Sequence, residues 1–215
     1  MATAEGRTKQ QPLRILAVGD SLTAGYYSSG SAFHPYAGHL TDLLQSANIS
    51  ADISEKGVSG ECVVPTMARR LHHLLQKEGP YDWVIILGGT NDLGGAVSAE
   101  RIFNGGLQPM YETCLNYGQG KMKLAAMTVI ENAFNAPTNP RDENRQLLNT
   151  MIRDYIAQSK NQDRICLVDL DKGIPFHSLS DENERNQIWD DGYHLTPAGY
   201  DRMAKLIFDA IKSKL

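Results

Sequence analysis

Ser21, His194 and Asp191 are residue types that can share a proton in nucleophilic catalysis, and each stands in a short run that reads as a turn. Ser21, in Gly19-Asp20-Ser21-Leu22-Thr23, offers a hydroxyl, although turns also recruit Ser for backbone hydrogen bonding. A serine hydroxyl needs a base to take its proton, and His194 supplies an imidazole. Asp191 lies three residues earlier, close enough on a turn to hydrogen-bond one ring nitrogen, fix the tautomer and stabilise the imidazolium. Asp190 is a rival for that place, and Asp191 reads equally as a turn or capping residue. A developing oxyanion also needs donors, for which Gly60 offers an unobstructed backbone N–H and Asn91 a side-chain amide. The plainer readings are a turn glycine at 60 and a cap at 91.

These runs matter because of the elements that precede them. Leu13 to Val18 is a short apolar run broken by Gly19-Asp20, a buried strand entering a turn. Strands follow at about Ser50–Glu55, Trp83–Leu87, Lys123–Ile130 and Ile165–Val168. Apolar spacings of three and four predict helices over about Pro35–Ala47, from Met67 to Glu78, over Ala99–Tyr117 and over Asp142–Lys160. Thr196-Pro197 opens a last helix with Met203, Leu206, Ile207, Ala210 and Ile211 on one face. Glu131–Glu143 and Asp171–Asp190 read as long irregular loops, the first polar and Pro-rich. Strands alternating with helices predict an α/β fold with a five-stranded parallel sheet covered on both faces. In such a sheet ligands bind beyond the carboxyl ends of the strands, where Ser21, Gly60, Asn91 and the Asp191–His194 run fall.

Taken together, Gly19-Asp20-Ser21-Leu22, Gly60, Gly89-Thr90-Asn91-Asp92 and Asp191-Gly192-Tyr193-His194 resemble the four sequence blocks of the SGNH, or GDSL, hydrolases, in the family's order. The resemblance runs from about Leu13 to the final helix. It implies a three-layer α/β/α flavodoxin-like fold with strand order 2-1-3-4-5, a serine esterase or acylhydrolase activity, and no metal or organic cofactor. By it Ser21 is the nucleophile, His194 the base and then acid, and Asp191 the residue that orients His194. The oxyanion hole would comprise the backbone N–H groups of Ser21 and Gly60 with the Asn91 amide. Gly57 is an alternative to Gly60, although the Val-Ser-Gly ending favours Gly60. Residues flanking the blocks, Leu22, Tyr26, Val63, Leu93, Ala96 and Tyr193, are candidates to line the substrate pockets, with ordinary packing as their plain reading.

Composition narrows what else the chain can be. Residues 1–12 are polar and without periodicity and read as a flexible leader, leaving 13–215 as one domain. A hydrophobic fraction of 41% with 21% charged residues supports a packed core. With 21 Lys and Arg against 25 Asp and Glu, the net charge of −4 disfavours nucleic acid as a partner. Three well-separated cysteines fit no disulfide framework or zinc ribbon, and no apolar run is long enough for stable membrane insertion. The expectation is a cytoplasmic enzyme acting on a small-molecule ester, or a secreted one if a signal peptide has been removed. A non-catalytic flavodoxin-like module that cradles a phosphate or nucleotide on Ser21–Gly25 is the competing reading. It leaves Asn91 and the Asp191/His194 pair unexplained. A metal-dependent hydrolase using His194, Asp191 and Asp20 lacks a dense ligand cluster. Members of the family that the chain resembles include esterases, thioesterases, lysophospholipases and carbohydrate deacetylases.

Overall fold

The computed structural model describes residues 11–215. The expected leader over 1–12 lies outside the described residues except for Gln11 and Pro12. Among the described residues one sheet holds five strands: Leu13–Gly19 (β1), Ala51–Gly57 (β2), Trp83–Ile86 (β3), Lys123–Met127 (β4) and Ile165–Val168 (β5). Every neighbouring pair is parallel, in the order β2-β1-β3-β4-β5. A two-residue hairpin, Tyr26–Tyr27 with Ala32–Phe33, stands apart from it.

The helices in chain order are Ser21–Ala24 (α1), Tyr36–Ser46 (α2), Ala68–Glu78 (α3), Thr90–Gly94 (α4) and Ala99–Ile102 (α5). Gln108–Asn116 (α6), Pro140–Gln158 (α7), Leu170–Gly173 (α8), Glu182–Ile188 (α9) and Pro197–Ile211 (α10) follow. Alternation along β1 explains the layering. Ile15 and Ala17 point into a cluster with Tyr36, Leu40 and Leu44 of α2 and Met203, Ile207 and Ile211 of α10. Leu16 and Val18 point the other way, to Leu71 and Leu75 of α3, Met110 and Cys114 of α6 and Leu148 and Ile152 of α7. A strand apolar on both faces is the signature of a parallel sheet covered on both sides. β2, at the edge, carries Asp52, Glu55 and Lys56, the polar residues that discourage further pairing.

The helix expected over Ala99–Tyr117 is interrupted between α5 and α6 by a wider turn, Phe103–Leu107, where Gly105 and Gly106 fall. The strand expected to reach Ile130 stops at Met127. Beyond it the Val129 N–H donates to the Asn149 side chain and the Val129 carbonyl accepts from it, each at 2.8 Å, in place of a neighbouring strand. The stretch Asp171–Asp190 is not irregular throughout: it contains α9, capped by Asp181, whose carboxylate accepts from the Asn183 N–H. Ile188 is the one buried residue of α9, too sparse a pattern for apolar spacing to reveal. No helix of the described residues is long and apolar enough to cross a membrane.

Candidate active site

β1 is paired to β2 on one side and β3 on the other, so the chain leaves its carboxyl end at the point where strand order reverses. There Asp20 caps α1, its Oδ1 accepting from the Leu22 N–H at 3.0 Å, and Ser21 begins the helix. The Ser21 N–H therefore sits at a helix start, where backbone donors have no intrahelical partner. The Asp20 side chain is wholly buried, and burial, with the negative charge of Asp92 adding to it, pushes its pKa up to about 7 against the bond from Leu22.

The other half of the site comes from the far end of the chain. Trp189 bridges Leu195, and the Asp190 N–H donates to the His194 carbonyl at 2.8 Å, closing residues 190–194 into a tight turn before α10. Gly192 has φ +82°, open to glycine, and its carbonyl accepts from the Ala133 N–H at 2.8 Å. The turn gives Asp191 Oδ1 two backbone donors, Tyr193 N–H at 2.9 Å and His194 N–H at 2.8 Å. Its Oδ2 then lies 2.8 Å from His194 Nδ1, and His194 Nε2 lies 2.9 Å from Ser21 Oγ. Desolvation raises the Asp191 pKa, but the bonds from the imidazole and the two N–H groups outweigh it and leave the carboxyl below its ordinary value. A carboxylate so held accepts from Nδ1–H, which leaves Nε2 as a hydrogen-bond acceptor facing the Ser21 hydroxyl. Asp190, the rival, is turned away: its Oδ2 accepts from the Ser28 N–H at 2.7 Å.

Gly60 has φ +79°, and no protein acceptor for its N–H is found among the described residues. The next residue connects it to the other candidate donor: the Asn91 amide donates to the Glu61 carbonyl at 2.9 Å and to Asp20 Oδ2 at 3.3 Å. Ser21, Gly60 and Asn91 are thus joined through their immediate neighbours at one edge of the sheet. Gly57 instead ends β2, its N–H taken by the Glu55 carboxylate.

The six residues expected to flank the substrate divide by burial. Leu22, Val63 and Leu93 are packed into the core clusters and expose almost no surface to an ester. Tyr26 packs its ring 4.4 Å from the His194 ring and meets Phe33 edge-on, while Tyr193 stacks on Phe134 at 4.6 Å. Phe33, Phe134 and Tyr193 are exposed. Ala96, also exposed, follows α4 with φ +58°.

Residues to which the sequence assigned no role at this edge complete the frame. The Asp92 carboxylate accepts from the Val63 N–H at 2.8 Å and the Val64 N–H at 3.3 Å, and Arg70 on α3 pairs with Glu61. Only the contact order of the fold reveals these; Arg70 stands beside Leu71 with nothing in its spacing to mark it. Among the described residues no group of three or more His, Cys, Asp or Glu is placed to hold a metal ion.

A family model described as the GDSL-like Lipase/Acylhydrolase family matches residues 17–202. No curated protein matches the sequence. Among solved structures, a Clostridium thermocellum family 3 carbohydrate esterase is 22% identical, with a TM-score of 0.72 over 94% of this chain and 96% of that one. A lipase/acylhydrolase from Enterococcus faecalis is 21% identical, with a TM-score of 0.72 over 94% and 97%. A GDSL-like lipase from Bacteroides thetaiotaomicron is 23% identical, with a TM-score of 0.67 over 94% and 89%. At these identities the structural likeness speaks to the fold.

Proposed function

The chain belongs to the GDSL-like lipase/acylhydrolase family, and from that premise we propose that it hydrolyses small carboxylic esters through an acyl intermediate on Ser21. The observation that carries the reading is the unbroken chain of hydrogen bonds from Ser21 Oγ through His194 to Asp191. Ser21 attacks the ester carbonyl as its proton passes to His194 Nε2. Asp191 holds the imidazole in the tautomer that can accept that proton and stabilises the imidazolium formed. The carbonyl oxygen, now an oxyanion, is met by the Ser21 and Gly60 N–H groups and the Asn91 amide. To donate there, Asn91 gives up its 3.3 Å contact with Asp20 and keeps the shorter one to Glu61. Collapse breaks the ester C–O bond, and His194 returns the proton to the departing alkoxide. Water then attacks the acyl group with His194 again as base, releasing the acid and restoring Ser21.

Because the imidazole protonates the leaving oxygen, the alcohol portion departs on the side of Tyr26 and Tyr193, which we assign to its contacts. A carbohydrate esterase among the similar structures makes acylated sugars the first natural esters to assay. The cysteines, Cys62, Cys114 and Cys166, are unpaired, which supports a reducing compartment and hence the cytoplasm. The test is hydrolysis of p-nitrophenyl esters from acetate to palmitate beside Ser21→Ala, with and without chelator. The reading expects chelator-resistant turnover that the variant lacks. Equal turnover in both proteins would remove Ser21 from the mechanism.

A further inference from the structure

The Arg70 guanidinium binds the ends of two neighbouring strands and the loop that follows the second. Its Nη2 donates to the Gly19 carbonyl at 3.1 Å, at the end of β1 and two residues before Ser21. Its Nη1 donates to the Lys56 carbonyl at 2.8 Å, near the end of β2. Its Nε lies 3.0 Å from both carboxylate oxygens of Glu61, which Nη2 also contacts. Glu61 directly follows Gly60, and its carbonyl receives the Asn91 amide. The Glu61 and Arg70 side chains are 8% and 22% exposed, so water competes weakly for these charge-assisted bonds.

The loop that carries Gly60 has little else to fix it. A side-chain carbon built on Gly60 would meet nothing within 4 Å, and Val58, Ser59 and Gly60 are exposed. Apart from Arg70 and Asn91, its ties are the Val58 N–H on the Gly19 carbonyl and the Glu61 N–H on the Val58 carbonyl, each at 3.0 Å. Arg70 also stands outside the apolar face of α3, which Leu71, Leu74 and Leu75 fill. We infer that Arg70 is a positioning residue for the oxyanion hole. It clamps the Gly60–Glu61 segment to the ends of β1 and β2, so that the Gly60 N–H and, through the Glu61 carbonyl, the Asn91 amide are aimed before an ester arrives. This rests on the assignment of those donors made above. Donors fixed in advance act mainly on the transition state, so loosening them lowers kcat more than it raises KM.

Arg70→Lys keeps the positive charge and loses the planar fork that reaches Glu61, Lys56 and Gly19 together. Steady-state kinetics on p-nitrophenyl acetate are compared for wild type, Arg70→Lys, Asn91→Ala and the double variant. Arg70→Lys is expected to lower kcat on the order of 10–100-fold with KM within about two-fold, and to leave the midpoint of the pH–rate profile in place. Asn91→Ala alone is expected to cost on the order of 10²–10³ in kcat. In the Asn91→Ala background Arg70→Lys should cost less than in wild type, because both act through the same donors. Wild-type kcat in folded Arg70→Lys overturns the inference, as does a double variant whose losses simply multiply. If Arg70→Lys does not fold, Glu61→Gln decides: lower kcat at unchanged KM supports the clamp, and unchanged kcat overturns it. Ser21→Ala is assayed alongside. Turnover in that variant would defeat the serine reading itself, whereas an inert Ser21→Ala beside a fully active Arg70→Lys defeats only the role of Arg70.

Discussion

Asp191 divides its two oxygens between tasks: Oδ1 closes the turn on two backbone N–H groups and Oδ2 holds the imidazole. Asp191→Asn can keep the turn closed but presents an amide donor or a neutral acceptor to Nδ1, so the wrong tautomer is favoured. It is expected to lower kcat by on the order of 10⁴ with little change in KM, read from initial rates on one ester. Asp20 makes a different prediction. Its folded pKa of about 7 lies above the ordinary 3.8, so below 3.8 the carboxyl is protonated folded or unfolded and imposes no pH-dependent cost. As pH rises, the unfolded chain releases this proton first, and the stability contributed by the protonated form is lost through the folded pKa. Asp20→Asn has no such group, so its Tm should gain on wild type between about pH 4 and pH 8. A gap that stays constant with pH would show that Asp20 ionises as easily folded as unfolded. The i, i+3 spacing made the Asp191–His194 contact legible in sequence. Asp20 escaped that reading because its shift comes from burial and from Asp92, which only the fold brings near.

One turn and the loop that braces it decide whether those residues meet. The turn before α10 is braced by the loop after β4, where the Ala133 N–H reaches the Gly192 carbonyl. That loop is in turn anchored by Glu131, whose carboxylate accepts from the N–H groups of Phe176 and His177 at 2.6 and 2.9 Å. A side-chain carbon at Gly192 would sit 2.8 Å from the Ala133 methyl and would be forced to φ +82°. Gly192→Ala is therefore expected to destabilise by about 1–3 kcal/mol in denaturant unfolding and to lower kcat by shifting His194. Unchanged stability and rate would show that the turn tolerates the side chain. The Pro-rich character of residues 131–143 marked this loop in the sequence, although α7 already begins at Pro140, capped by Asn139, and the loop's partner at Gly192 is a backbone contact that no side-chain pattern encodes. The same limit hid α9: with Ile188 its one buried residue, the segment carries no apolar stripe. Asn149 and Arg145, buried on α7, are polar where periodicity expects core, because they satisfy the Val129 backbone after β4 ends.

Across the whole molecule, four of the five strands legible from sequence are mostly apolar runs, β2 being a polar edge strand, and the strand ends mark the edge where the site assembles. The strand order followed from family resemblance, since apolar runs identify strands without saying which pair. Ser21 and His194 are 173 residues apart, and the sheet together with the packing of α10 on α2 and β5 brings them to 2.9 Å. A site built from both ends of the chain should be lost with the global fold, so activity and ellipticity should disappear together on heating. The central claim is that Ser21 becomes acylated during turnover. Its most direct test is rapid acid quench of the enzyme turning over p-nitrophenyl acetate, followed by peptide mass spectrometry. The account predicts an acetyl group on the peptide containing Ser21 in wild type and none in Ser21→Ala, with turnover lost in the variant. Sustained turnover by Ser21→Ala, or an acetyl group carried stoichiometrically on another residue, would contradict it.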